Sequence, residues 1–381
     1  MRTLIIGIST RAMAESAKVV GYDLVTLDYF GDYDQKSWCE NFSLKRDLNL
    51  PFGCAQLYEA SRKIKFDAVA YTSNLENHPE VIKRFEDASV EKHCRLLGNS
   101  ADVLSRVRHW PTLFDFLQRQ GISIPGTMYE GQRPAASDNR RWLRKPIYSG
   151  GGHDISFWDK DRPIGAMFIL QEHISGISAS ASFVSNGAEC VVLGLTEQII
   201  GRSEFGTRGF HYCGNILPLT AEQNAVLAQV RDITARLTRE FKLVGVNGLD
   251  FVLKDGQVFP IEVNPRYSAS MELIERAYGL SIFDLHVQSI QQGALPDFDL
   301  AAWLADDRFY GKAILYADQE GVAPDTRGWP ARDIRDVPFP GEALSAGDPV
   351  CTVLASGRTQ VECFAGLVAQ AEAIKGEIYA P

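Results

Sequence analysis

Apolar residues occur in short runs whose spacing changes along the chain, and these changes divide it into segments. Residues 3–8 form an apolar run ended by Ser9-Thr10-Arg11; a helical stretch follows at 12–20, an extended run at 22–28, a helical stretch at 57–64 and another apolar run at 67–72. Strands alternating with helices predict a parallel sheet with covering helices, here an α/β unit over residues 1–98. Residues 99–140 read as a helical connection, with a helix at 112–120 that Gly121 to Pro125 stops. Strands are expected at 141–146, 155–158 and 167–173, and the first two flank Tyr148-Ser149-Gly150-Gly151-Gly152-His153-Asp154. Residues 178–184 and 190–197 pair across Ser185-Asn186-Gly187, a hairpin signal. Residues 201–218 read as a polar loop and 221–241 as an amphipathic helix. Alternating runs at 249–253 and 257–263 flank Lys254-Asp255-Gly256, a second hairpin, and a helix is expected at 269–278. The remainder, 294–381, reads as a distinct segment with strands at 309–317 and 350–354 and a helix at 360–372.

The second hairpin carries the most chemistry. Side chains two apart on a strand share a face, so Glu262 and Asn264 point the same way and Asp250 reaches them from the paired strand. Such hard oxygen ligands suit Mg²⁺, with Mn²⁺ as the alternative ion, completed by water and substrate phosphates. Arg266 follows, a permanently charged fork for phosphate oxygens. An ordinary solvated hairpin face would carry the same residue types. Upstream, the Gly150-Gly151-Gly152 run exposes backbone N–H groups and reads either as a lid over phosphates or as a flexible hairpin. Lys145 precedes it as a point positive charge, and Gln171-Glu172 ends a strand that could present polar groups to an adenine edge. Arg208, in the 201–218 loop, is a candidate carboxylate anchor or a surface residue. Ser9 and Arg11 follow the first strand, where α/β sheets bind ligands; they either hold substrate or Ser9 caps the helix. That turn lacks the G-x-G-x-x-G pattern of a dinucleotide site. Ser268 and Ser270 stand near a helix start whose N–H groups could take an anion.

Composition narrows the classes. With 381 residues the chain exceeds one ordinary domain, and 45% hydrophobic with 23% charged residues is typical of globular proteins. A net charge of −9 argues against general affinity for nucleic acid or anionic membranes. No apolar run approaches a membrane span, and the first residues read as a strand rather than a signal peptide. Seven scattered cysteines without a Cys-x-x-Cys spacing imply reduced thiols and a cytoplasmic setting.

Taken in order, these features resemble the ATP-grasp superfamily, in particular carboligases related to biotin carboxylase. Lys145, Ser149, Gly150, Gly151, Gly152, Gln171, Glu172, Asp250, Glu262, Asn264 and Arg266 fall on matching positions, and Ser9 to Ser16, Tyr212 to Pro218 and Gly347 to Val353 carry the narrower likeness. The resemblance implies an α/β fold with α+β lobes. Its parts would be an N-terminal Rossmann-like pre-ATP-grasp domain (1–98), a helical connection (99–140), a glycine-loop lid (141–177), a core with a central antiparallel sheet and the Mg²⁺ site (178–293), and a C-terminal segment (294–381). It also implies ATP and one or two Mg²⁺ ions, activation of a carboxylate as an acylphosphate, and capture by an amine. Arg266, Lys145 and Arg208 would be catalytic. The second lysine of the family, before the lid, is replaced here by Arg108 or Arg106, and the usual ribose-binding acid is absent near Gly176-Ile177-Ser178. Bicarbonate carboxylation and a non-catalytic nucleotide-binding scaffold are the rival readings. Partners would be a small-molecule acid and amine, with neither nucleic acid nor membrane; the apolar tail would serve as a homodimer interface or as core. Some relatives of this type act in the metabolism of methanofuran- and methanopterin-type one-carbon carriers.

Overall fold

The computed structural model describes residues 1–92, 94–135, 137–160, 163–221, 223–303 and 308–379; residues 304–307, 380 and 381 of the expected C-terminal segment lie outside them. The first sheet contains β1 (Arg2–Ile6), β2 (Asp23–Asp28), β3 (Glu40–Ser43), β4 (Ala68–Tyr71) and β5 (Arg95–Leu97), all parallel, in the order β3-β2-β1-β4-β5. Leu4, Ile5 and Ile6 are fully buried in succession, as expected of a strand covered on both faces. The order reverses between β1 and β4. That switch point opens a crevice at the carboxyl ends, where Ser9, Asp32 and Glu76 follow their strands.

A small antiparallel sheet follows, β6 (Thr127–Met128), β7 (Trp142–Pro146), β8 (Ser156–Phe157) and β9 (Phe168–Glu172), in the order β6-β9-β7-β8. The glycine run joins β7 to β8. The central sheet has β10 (Ile177–Asn186), β11 (Cys190–Ile200), β12 (Tyr212–Leu217), β13 (Val244–Lys254), β14 (Gln257–Asn264) and β15 (Phe309–Tyr316). A minor hairpin, β16 (Gly321–Val322) with β17 (Ala343–Leu344), precedes the last strand, β18 (Pro349–Gly357). The central order is β14-β13-β10-β11-β12-β15-β18, antiparallel throughout. The helix Gln223–Phe241 covers one face with Val226, Val230, Ile233, Leu237 and Phe241, the i, i+4, i+7 stripe of an amphipathic helix.

Two expectations change. Part of the 201–218 loop is β12, an interior strand. Its polar Asn215 is tolerated because its Nδ2 donates to Thr196 Oγ1 at 2.9 Å, and Gly214 lets the backbone of β15 pass where a side chain would strike Lys312 O. The 294–381 segment does not stand apart, since β15 and β18 extend the central sheet. Its apolar residues fill a core beneath the helix Gln360–Tyr379, which buries Cys363, Leu367, Ala371 and Ile374. No helix among the described residues is long and apolar enough to cross a membrane.

Candidate functional site

The β13–β14 hairpin closes through Asp255 and Gly256, both at positive φ (49° and 71°), as a two-residue primed turn requires. From this turn the pairing runs to Phe251 opposite Pro260; a one-residue bulge at Ile261 then shifts it, so that Asp250 stands opposite Glu262 and Gly248 opposite Asn264. Asn264 Nδ2 donates to Asp250 Oδ2 at 3.0 Å. Burial and the facing Glu262 push the Asp250 carboxyl up to about 6. Burial acts the same way on Glu262, but the charges of Arg108, Lys145 and Arg266 outweigh it and hold this carboxyl below its ordinary value. Two half-buried carboxylates face to face with one amide form an electrostatically frustrated set that a divalent cation would relieve. No cluster of three or more His, Cys, Asp or Glu side chains among the described residues is arranged to hold a metal ion. The donor set therefore fits an ion that takes much of its shell from phosphate and water, the habit of Mg²⁺.

Cations surround this pair. Lys145 on β7 is buried, and its Nζ donates to Gln171 Oε1 on β9 at 2.9 Å, with the Trp110 ring 5.2 Å away. Burial draws its ammonium below the usual lysine value, against the pull of Glu262 and Asp250. Gln171 Nε2 is a buried donor without a partner, a vacancy that suits an acceptor on a ligand. Arg108 Nη1 donates to Val263 O at 2.9 Å and lies 3.5 Å from Glu262 Oε2, while Nε and Nη2 reach Asn77 Oδ1 at 3.0 and 2.7 Å. Arg106 turns away to Glu240 O. Of the two arginines, Arg108 is the one at the site. Arg266 Nε donates to Glu76 Oε1 at 2.9 Å and Nη2 to Asn264 Oδ1 at 3.3 Å. It thus ties the hairpin to the crevice of the first sheet.

The glycine run is docked. Gly151 and Gly152 adopt φ of 63° and 73°, Gly151 O accepts from Tyr212 N at 2.9 Å, and a Cβ on Gly152 would lie 1.9 Å from Phe210 O. The His153 and His211 ring centres lie 4.1 Å apart with the planes tilted by 56°, and burial with His153 nearby lowers His211 to about 4. Beneath lies one cavity of about 1180 Å³, reaching from the glycine run and Lys145, past Asp250 and Glu262, to Ser9 and Asn74 at the first sheet's carboxyl edge. That volume exceeds the usual small-molecule pocket and leaves room for two ligands.

The remaining candidates divide. The Ser149 hydroxyl donates to His153 O at 3.1 Å within the loop. The Glu172 carboxylate is taken by Gly126 N at 3.1 Å and Arg140 Nη1 at 3.4 Å. Arg208 is exposed and does not line the cavity. Ser268 and Ser270 hydroxyls lie 3.1 Å apart at the cavity wall. Arg11 is fully buried: its guanidinium bridges both oxygens of Glu272 and reaches Asp336 at 2.9 and 3.0 Å, so it is a clamp with no free donor face for a ligand. The helix beside it is capped by Thr10, without a side-chain cap bond. Sequence reasoning missed Glu76 and Asn77, which hold Arg266 and Arg108; their only signal was position beyond the carboxyl end of a parallel strand.

Residues 111–270 match the ATP-grasp domain family. Over the whole chain, the fold of the biotin carboxylase domain of Hydrogenobacter thermophilus 2-oxoglutarate carboxylase, crystallised with MgADP, superposes with a TM-score of 0.69, at 13% identity and with 98% and 90% of the two chains covered. The chain has the ATP-grasp fold, and residues 111–270 are its ATP-grasp domain. The chain shares this fold also with an L-amino acid ligase of Bacillus licheniformis (TM-score 0.67, 16% identity, 99% and 98% covered). An uncharacterised protein of Methanocaldococcus jannaschii is 23% identical over 372 residues, 93% of this chain and 88% of that one. The carbamoyl phosphate synthase large chain of Thermoplasma volcanium is 24% identical over 217 residues, 52% of this chain but only 20% of that protein.

Proposed function

We propose that this ATP-grasp chain is an ADP-forming ligase that activates a carboxylate on ATP and joins it to an amine. The observation that carries the reading is the ring of Lys145, Arg108 and Arg266 around the Asp250–Glu262 pair, inside a cavity closed by a glycine loop. A carboxylate approaching a polyanion needs its charge offset, and preorganised cations in a water-poor site supply most of that effect. Lys145 would hold the α- and β-phosphates, with the backbone of 149–152 folded over them. Arg108 would take the place of the family's second lysine. Gln171 would meet the nucleobase through its open Nε2, beside Glu172. Asp250, Glu262 and Asn264 would hold one or two Mg²⁺ ions, or Mn²⁺, which when bound would offset charge on the β- and γ-phosphates. Arg266, steered by Glu76, would face the transferred phosphoryl group. The docked glycine loop would keep water from the acylphosphate. The acid and amine would belong to the assembly of a one-carbon carrier of methanofuran or methanopterin type, the context that the family resemblance suggests.

The test is ADP and phosphate release from MgATP with acids and amines supplied singly and in pairs, precursors of such carriers included. Turnover that requires one acid and one amine supports the ligase. Turnover with bicarbonate and a single acceptor would replace it with a carboxylase. ATP binding without turnover on any pair would replace it with a nucleotide-binding scaffold.

A further inference from the structure

The half of the cavity away from the nucleotide residues has an unusual charge balance. Around Arg11 at the carboxyl edge of the first sheet stand Asp28, Asp32, Asp34, Asp336 and Glu272, of which Asp32, Asp336 and Arg11 line the cavity itself. Four of these carboxylates have donors. Asp28 accepts from Thr10 Oγ1, Gly31 N and Asn41 Nδ2; Asp34 accepts from the backbone N–H groups of Asp336 and Val337. Asp336 is held by Arg11 and Thr352, and Glu272 by Arg11 and Lys312. Asp32 differs. It is 8% exposed, lines the cavity, and its Oδ2 is buried with no donor among the described residues. Across the same crevice, Glu76 accepts from Arg266 through Oε1 and leaves a buried Oε2 equally unpartnered. A buried carboxylate without a donor is rare in native proteins and marks a missing partner. Arg11, the cation that acts on Asp32, is already engaged by Glu272 and Asp336, and Lys45 and Arg46 on the same side are paired with Glu342.

We propose that Asp32 is the anchor for an ammonium group on one of the two substrates, so that the half-cavity at the first sheet accepts an amino acid or diamine and rejects neutral or purely anionic molecules of the same shape. The proposal rests on the ligase reading only for calling that molecule a substrate; the binding site stands on its own geometry. A metal ion is the poorer occupant, because no three acidic or imidazole side chains converge there among the described residues, whereas an ammonium needs one carboxylate and neighbouring carbonyls or waters. Burial, with Asp336, Asp28 and Asp34 adding like charge against Arg11, keeps the empty Asp32 carboxyl well above its ordinary value. A docked cation opposes that shift and favours the ionised carboxylate, so any proton exchanged on ammonium binding is released rather than taken up.

The experiment is calorimetric titration of the full chain at pH 7, with Mg²⁺ and AMP-PNP present. The probes are methylammonium, putrescine and L-lysine, set against the neutral counterparts methanol and 1,4-butanediol. At least one ammonium probe is expected to bind at least tenfold more tightly than its neutral counterpart. Any difference in its apparent enthalpy between phosphate and Tris buffers should be in the sense of proton release. Asp32→Asn and Asp32→Ser should each lose tenfold or more in that affinity while AMP-PNP affinity stays within twofold. Thermal melts identify a variant that does not fold, and the ammonium preference of the wild-type chain tests the idea without any variant. Ammonium probes binding no better than neutral ones, or binding unchanged in the folded variants, would overturn the proposal. Failure of AMP-PNP to bind would instead sink the ligase reading, with the Asp32 measurements still deciding their own case.

Discussion

Replacing the three lid glycines by alanine, one at a time, separates conformational freedom from contact. A Cβ on Gly150 meets nothing within 4 Å and needs no unusual backbone angle, so Gly150→Ala serves as the control. Gly151 sits at φ 63° with only the His153 ring, 3.4 Å away, near its would-be Cβ. There alanine pays mainly the left-handed penalty of about 1–2 kcal/mol. Gly152 adds a backbone collision, since its Cβ would lie 1.9 Å from Phe210 O, and the neighbouring Gly151 O to Tyr212 N bond must also give way. One such bond contributes about 0.5–1.5 kcal/mol net. Together these terms displace the docked loop by about 1.5–3.5 kcal/mol, which is roughly 10- to 300-fold in the docked population at about 1.4 kcal/mol per decade. AMP-PNP affinity by calorimetry should therefore fall in the order Gly150→Ala, Gly151→Ala, Gly152→Ala. The first should lie within about twofold of wild type, with the overall melting temperatures similar because the loop is peripheral to the cores. Equal affinity of the Gly150 and Gly152 variants would refute the claim that the docked loop contributes to nucleotide binding.

Other outcomes follow from the same coordinates. Asp250→Asn should abolish Mg²⁺-dependent AMP-PNP binding yet stabilise the empty chain: Asp250 rises from 3.8 to about 6 in the fold. Wild-type stability should thus decline as pH increases from about 4 to about 6 and stay reduced above it, the variant gaining at most about 3 kcal/mol at pH 8 and nothing near pH 4; parallel urea titrations across that range check the sign. Arg11→Met leaves buried Glu272 and half-buried Asp336 without their guanidinium and should lower unfolding free energy by about 3–5 kcal/mol in a chemical denaturation experiment. Arg208→Ala, altering an exposed side chain away from the cavity lining, should change AMP-PNP affinity less than twofold in the same titration.

The parts of this protein that were legible in its sequence are those that short-range rules govern. Asp255-Gly256 demanded a primed turn, and the turn set the register as far as Phe251 opposite Pro260; the bulge at Ile261 that then brings Glu262 opposite Asp250 lies beyond that rule. The first sheet announced itself through alternating strands and helices. What escaped depends on contacts between distant segments. Glu76 reaches Arg266 across 190 positions, and Asn77 reaches Arg108 from another element; nothing in their neighbouring residues signals either partner. Residues 212–217 looked like loop because glycine, tyrosine and asparagine occupy a strand whose polar groups are satisfied only by β11 and β15 on either side. Arg11 looked like a free cation at a ligand crevice, and only residues 272 and 336 show that it is already bound.

That clamp bears on how the protein is made. The first sheet can pair its strands once about a hundred residues have left the ribosome, but the guanidinium of Arg11 meets Asp336 only after the central sheet is synthesised. At ~5–20 residues per second the interval is about 12–47 s. During it the nascent N-terminal unit carries Asp28, Asp32 and Asp34 around a cation whose partners Glu272 and Asp336 have not yet been translated. Their repulsion then falls on water rather than on a closed interior, and the crevice at this edge takes its final form only when the last third of the chain arrives to cover it.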